Sequence, residues 1–162
     1  MYSIDGNDKV VELNEMPQSS VGAPIPVVLS VESKTVVAYY IQDNELDFES
    51  EFEPIAIISF EGCRSTMFGP PNDETFSGHP LYSKGLRPYS AFIIENSSWL
   101  RKLIEMNSVH PYHNETQFND YKHYVLSFHD STFECIAESY SIEIVNDTIL
   151  NVINLMKEKI NF

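Results

Sequence analysis

The sequence predicts an α+β fold: a mainly antiparallel, strongly bent β-sheet of about eight or nine short strands, with two packed helices at about 97–107 and 147–160. Three observations carry this. Residues 123–137 read as two strands closed by a tight turn, with Tyr124, Leu126 and Phe128 alternating before it and Phe133, Cys135 and Ala137 after it. Short runs rich in β-branched and aromatic residues recur along the chain, which is the composition of strands. Two segments place apolar residues at helical spacing behind a capping residue.

In chain order, residues 1–9 are polar and expected to fray. Val10–Leu13 is a short first strand, and residues 14–26, with Pro17, Pro24, Pro26 and Gly22, form a loop. Val27–Val31 is a continuous apolar run and so a buried strand; Thr35–Ile41 pairs with it as a hairpin. Asp43, Glu45, Asp47, Glu49, Glu51 and Glu53 then alternate with Leu46, Phe48 and Phe52, so a strand here would carry all its carboxylates on one face. Pro54–Phe60 is a strand, Glu61-Gly62 a turn or bulge, and Cys63–Phe68 a further strand. Residues 69–90 hold three glycines and four prolines and keep no period; Phe76, Leu81, Tyr82, Leu86 and Tyr89 supply apolar anchors for this long connection.

Ala91–Glu95 is a strand, after which Asn96 or Ser97 caps a helix with Trp99, Leu100, Leu103 and Ile104 on one face. A two-residue loop at Asp130-Ser131 sets the hairpin register at Phe128 opposite Phe133, Leu126 opposite Cys135 and His123 opposite Glu138. The second strand of that hairpin runs on toward Ile144. A last helix, capped by Asn146 or Asp147, carries the stripe Ile149, Val152, Ile153, Met156 and Ile160.

Length and composition set the class. A chain of 162 residues with 43% apolar residues can bury a substantial core as a single domain over 1–162. No apolar run approaches the ~20 residues of a membrane span, and Met1-Tyr2-Ser3-Ile4-Asp5 lacks the pattern of a secretory signal, so a soluble, cytoplasmic protein is expected. Cys63 and Cys135 sit in strand-like runs and are expected to be reduced, buried hydrophobes. The 24 acids against 10 Lys and Arg, a formal charge of −14, argue against nucleic acid and anionic membrane as partners and favour a basic protein.

The residues able to carry chemistry are few. His79, His110, His113 and His129 fall in loops or at the hairpin turn, with Asn72, Asp73 and Asp130 close to them in sequence or in predicted position. If the long connection, the 110–113 loop and the hairpin tip share one end of the sheet, His79, His110, His113, His129, Asp130 and Asp73 converge there. The plainer reading is that they satisfy backbone groups of their own turns. The spacing His-x-x-His at 110–113 is a weak metal signal, and no metal or cofactor is expected. Residues 69–74 have too few glycines and no lysine for a phosphate loop, and no Gly-x-Ser-x-Gly is present.

Phe68-Gly69-Pro70-Pro71-Asn72-Asp73-Glu74, Gly78-His79-Pro80-Leu81-Tyr82, Asn96-Ser97-Ser98-Trp99 and Phe128-His129-Asp130-Ser131-Thr132-Phe133-Glu134-Cys135 resemble a family of small uncharacterised bacterial proteins. The resemblance covers roughly residues 20–140. It implies a soluble bacterial protein and supplies no catalytic residues.

Two functions of different class follow. One is a non-enzymatic acidic module that binds a basic partner through the acids at 43–53. The other is a small enzyme or a ligand- or metal-binding protein with a loop-end site around His79 and His129-Asp130; its small ligand is unknown.

Overall fold

The computed structural model describes residues 2–42 and 51–160. Among them are nine strands and two α-helices: β1 (Lys9–Glu12), β2 (Val27–Val31), β3 (Lys34–Tyr40), β4 (Pro54–Glu61), β5 (Ser65–Gly69), β6 (Ala91–Glu95), α1 (Ser98–Asn107), β7 (Lys122–Ser127), β8 (Thr132–Ala137), β9 (Ser139–Asn146) and α2 (Ile149–Ile160). The class is α+β with antiparallel pairing throughout. The strands divide between two open sheets instead of forming a single bent one, in the orders β1-β6-β7-β8-β5 and β2-β3-β4-β9.

Two of the three crossings between the sheets occur at one corner. β4 leaves the four-stranded sheet through Gly62–Arg64 and becomes β5 of the five-stranded sheet; β8 turns at Glu138 and becomes β9 in the opposite sense. The strand expected to run on to Ile144 is thus broken at Glu138. Hydrogen bonds from Glu138 N–H to the Glu61 carbonyl (3.0 Å) and from Arg64 N–H to the Ile136 carbonyl (2.8 Å) bracket the corner. Gly62 has φ +64°, a left-handed backbone that calls for glycine; a Cβ there would lie 2.6 Å from the side chain of the exposed Glu138, which would have to move aside.

The sheets face each other across a core that includes Val37, Tyr39, Ile58 and Phe60 on one side and Tyr124, Leu126, Phe133 and Cys135 on the other. α2 covers the outer face of the four-stranded sheet, packing Val152 and Met156 on Val36, Ala38, Ile55 and Ile57. Thr148, not Asn146 or Asp147, stands before its first turn, its hydroxyl accepting from Asn151 N–H (3.3 Å). β2 is an edge strand and only half-buried, which corrects the expectation from its apolar run. The acids at 43–50 lie outside the described residues; Glu51 and Glu53 are exposed.

The outer face of the five-stranded sheet is covered by irregular chain. Phe76, Leu81 and Leu86 of the long connection bury against Phe92, Ile94 and Val125. α1, capped by Ser97 as one of the two expected residues, packs Trp99 there beside Tyr121 and Ile136. The N-terminal residues, expected to fray, are tied down. Tyr2 stacks on Trp99 at 5.4 Å, and the buried Asp8 accepts from Ser98 N–H at 2.6 Å.

The β7–β8 register differs from expectation by two residues: Leu126 opposes Phe133, Tyr124 opposes Cys135 and Val125 opposes Glu134. The two-residue loop is His129-Asp130, not Asp130-Ser131: Phe128 N–H on the Ser131 carbonyl at 2.8 Å closes it, one position earlier in the chain. A slip of two keeps every side chain on its expected face. Cys63 and Cys135 are buried and unbridged. Phe133 is fully buried, with its ring 5.5 Å from that of Phe60. Phe133→Ala is expected to cost about 3–5 kcal/mol in urea unfolding; a loss under about 1 kcal/mol would contradict this packing.

Candidate functional site

Two polar clusters stand on the five-stranded sheet, and they divide His79, His123 and His129 between them. The first is buried on its outer face. Glu134, on β8 and 3% exposed, accepts from His79 Nε2 at 2.9 Å through Oε1. Through Oε2 it meets His123 Nε2 at 2.8 Å and the Tyr2 hydroxyl at 2.6 Å. Outer hydrogen bonds fix this arrangement. The Leu81 N–H can only donate, and it reaches His79 Nδ1 at 3.1 Å, so His79 carries its proton on Nε2 and gives it to Glu134. His123 Nδ1 meets the Ser97 hydroxyl at 2.9 Å, and that same oxygen caps α1 by accepting from Leu100 N–H.

Burial alone would raise the Glu134 carboxyl, but the hydrogen bonds from His123 and His79 outweigh it and hold the group at about 2. The Tyr2 hydroxyl is driven the other way, first by burial and then by the Glu134 charge, so it keeps its proton and donates. Every oxygen of the carboxylate is engaged, which suits a group that holds the long connection, the N-terminus and the start of α1 to the sheet.

The second cluster lies at the tip of the β7–β8 hairpin. The Tyr89 hydroxyl donates to Asp73 Oδ2 at 2.5 Å, and His129 Nδ1 lies 2.9 Å from the Tyr89 oxygen and 3.0 Å from the same Asp73 oxygen. With the Tyr89 proton committed to Asp73, a lone pair on Nδ1 would oppose one on Oδ2. The arrangement without that clash puts a proton on Nδ1, which in the neutral ring leaves the lone pair on Nε2. Nε2 makes no hydrogen bond among the described residues; the exposed Asp130 carboxylate is 3.9 Å away. The His129 side chain is 38% exposed.

The same hydrogen bonds shift the titration of their partners. The hydrogen bond from Tyr89, then that from His129, holds the Asp73 carboxyl below its usual range, while the bond to Asp73 first and burial second push the Tyr89 hydroxyl up to about 12. The backbone reinforces the cluster: Asp73 N–H donates to the His129 carbonyl at 2.9 Å, and Thr132 Oγ1 donates to the Pro71 carbonyl at 2.8 Å. Tyr89 itself sits at φ +59°, a left-handed conformation that is rare for an aromatic residue.

Of the seven residues singled out in the sequence, Asp73, His129 and Asp130 come together at the tip. Asn72 adjoins them but spends its side chain on a turn, accepting from the Thr75 amide and hydroxyl. His79 is held by a different carboxylate from the one that holds His129. His110 and His113 follow α1 and bond locally, His110 Nδ1 to Tyr112 N–H and His113 Nδ1 to the Asn107 amide. Sequence reasoning missed Tyr2, Tyr89, Ser97 and Glu134. Glu134 did leave a signal, as a lone acid inside the apolar strand Phe133–Ala137. Among the described residues no group of three or more His, Cys, Asp or Glu is arranged to hold a metal ion.

A cavity of about 220 Å³ adjoins the tip where the sandwich opens between the sheets, with Tyr39, Tyr89 and Phe128 among its walls. The chain matches no family model, no curated protein and no solved structure. Among the described residues no helix is long and apolar enough to cross a membrane.

The Glu134 cluster makes a pH prediction. The folded value, about 2, lies below the ordinary 4.5, so ionised Glu134 stabilises the fold fully above about pH 4.5, and that contribution is lost as pH falls toward 2. It amounts to roughly 3 kcal/mol from the size of the shift. Urea midpoints from about pH 7 down to 2.5 should fall less steeply in Glu134→Gln than in the wild type, with the variant less stable by about 3–5 kcal/mol at neutral pH because its amide meets N–H donors. Equal pH slopes for the two proteins would sink the assignment.

Proposed function

We propose that this is a small-molecule-handling protein whose working group is His129, a proton acceptor at the hairpin tip. One observation carries the reading: a carboxylate and a phenol hold Nδ1 while Nε2 makes no hydrogen bond among the described residues and the side chain is 38% exposed. A histidine oriented in this way is the working half of a general base. Anchoring the loop alone would account for the backbone bonds around Asp73, but it does not call for a part-exposed imidazole whose Nε2 has no hydrogen bond among the described residues. The strained Tyr89, which joins this group to the cavity, is the kind of conformation retained where a site requires it.

Diethyl pyrocarbonate acylates accessible, unprotonated ring nitrogens. It should modify His129 in the folded protein while sparing His79 and His123, as read by peptide mass spectrometry. The protein should also cleave p-nitrophenyl acetate faster than an equal concentration of imidazole. His129→Gln should lower that rate by at least about tenfold, the low end for general-base removal, with the melting temperature within a few degrees of wild type. A rate no better than imidazole, or one unchanged in the variant, would overturn the reading.

A second reading rests on charge. At −14, with Glu51 and Glu53 exposed ahead of β4, the chain is suited to dock a basic protein. Replacing Asp47, Glu49 and Glu51 with Lys should slow association with a lysine-rich peptide and flatten its salt dependence. Binding indifferent to both the reversal and the salt would leave these acids as surface charge that keeps other chains away.

A further inference from the structure

Arg64, exposed at the corner that leads into β5, forms no ion pair among the described residues, although the chain carries 24 acids against 10 Lys and Arg. It is nonetheless held in place. Its Nε donates to the Tyr121 hydroxyl at 2.6 Å, and its guanidinium carbon lies 5.2 Å from the centre of the Tyr121 ring. The Tyr121 hydroxyl is bonded in turn to the Glu138 carboxylate. Tyr121 is 5% exposed and packs with Trp99 and Ile136, so the anchor belongs to the core. Both Nη groups of Arg64 are left without a hydrogen bond among the described residues.

Arg64 also lines a cavity of about 240 Å³ between α1, the 3₁₀ turn at Glu115–Phe118 and β8. It is the only charged residue among the described lining residues. The other walls are mainly apolar: Leu100, Leu103, Phe118, Tyr121 and Ile136. Leu100, Leu103 and Phe118 are only half-buried, so they keep apolar surface that a guest can cover. At roughly 30 Å³ for each water in the liquid, the cavity has room for about eight atoms of that size. It shares no lining residue with the cavity beside Tyr89.

A guanidinium with both Nη groups unspent selects a planar oxyanion, and it meets a carboxylate with two parallel hydrogen bonds. One cation in the walls balances a single negative charge; a doubly charged phosphate would lack donors. Apolar walls favour only a guest that has an apolar body to bury. The chain's charge of −14 slows an anion's approach, but charges more than about 8 Å away are largely screened at physiological salt, and a contact with Arg64 is not. We propose that this cavity binds a small monocarboxylate with an apolar body, its head on Arg64 and its body against Leu100, Leu103 and Phe118. The site goes beyond the proton acceptor at His129 and does not depend on it.

The test is titration of the folded protein, followed by NMR, at matched ionic strength. The probes are hexanoate, which is of the cavity's size, its neutral isostere hexanamide, and acetate, which keeps the head and lacks the body. Hexanoate should give saturable shifts at the methyl groups of Leu100, Leu103 and Ile136 and at the Arg64 Nε–H. Hexanamide and acetate should each bind at least about tenfold more weakly, the first without charge-assisted hydrogen bonds and the second without apolar burial. Arg64→Gln should weaken hexanoate at least about tenfold, whereas Lys157→Gln, which removes an exposed cation on α2, should leave it unchanged. Shifts that never saturate, equal binding of hexanamide, or equal losses in the two variants would each overturn the proposal. The comparison of hexanoate with hexanamide uses the unaltered chain, so it decides the question even if Arg64→Gln does not fold.

Discussion

A carboxylate buried in a sheet face has to be supplied with donors, and the outer half of this molecule is built around that need. An unpaired charge at Glu134 would be prohibitive in so dry a place. The three donors come from parts of the chain far apart in sequence: Tyr2 at the N-terminus, His79 in the long connection and His123 on the neighbouring strand. Each donor brings its own segment. His79 brings a connection that buries Phe76, Leu81 and Leu86; Tyr2 brings a stretch that ends in Asp8 capping α1; His123 is tied through Ser97 to the first turn of that helix. Hydrogen bonding and apolar burial therefore settle the same surface together, which is how an irregular connection recovers the entropy lost in ordering it.

The consequences reach the hairpin tip. With the middle of the connection held by His79, its two ends return to β7 and β8. The Pro71 carbonyl and Asp73 meet Thr132 and the His129 carbonyl, while Tyr89 leads into β6. The cluster of Asp73, Tyr89 and His129 thus sits on a scaffold braced elsewhere, and the histidine need not contribute to stability in order to stay oriented. The buried cluster and the exposed one share residue types and divide the work: full satisfaction in the first, an unbonded nitrogen in the second.

The corner at Gly62 and Glu138 has the same kind of influence on the other half. It carries two neighbouring strand pairs from one sheet to the other, so β4 and β9 face β5 and β8 across the core instead of extending them. The sandwich leaves a gap at the end where the chain crosses from β1 to β2, and that gap is the cavity. Phe128, the residue before His129, lies in its wall, which places the cavity and the exposed histidine at one end of the molecule.

What local periodicity can express was legible in the sequence. Most of the strands, both helices, the turn at Gly62, the anchoring role of Phe76, Leu81 and Leu86, and the faces of β7 and β8 all follow from alternation, capping residues and turn chemistry, which act over a few residues. Asp73, His129 and Asp130 could be nominated because loops and turns rich in such residues are where chemistry concentrates. The division into two sheets, the two-residue change of register, the anchoring of Tyr2 and the separation of His79 from His129 could not be read there. Each depends on which distant surfaces meet. A register slip of two leaves every face unchanged and so leaves no trace in the pattern. A lone acid in an apolar strand signals that donors must exist without saying which ones. Only the folded chain supplied Tyr2, His79 and His123 to Glu134 and left Nε2 of His129 without a hydrogen bond among the described residues.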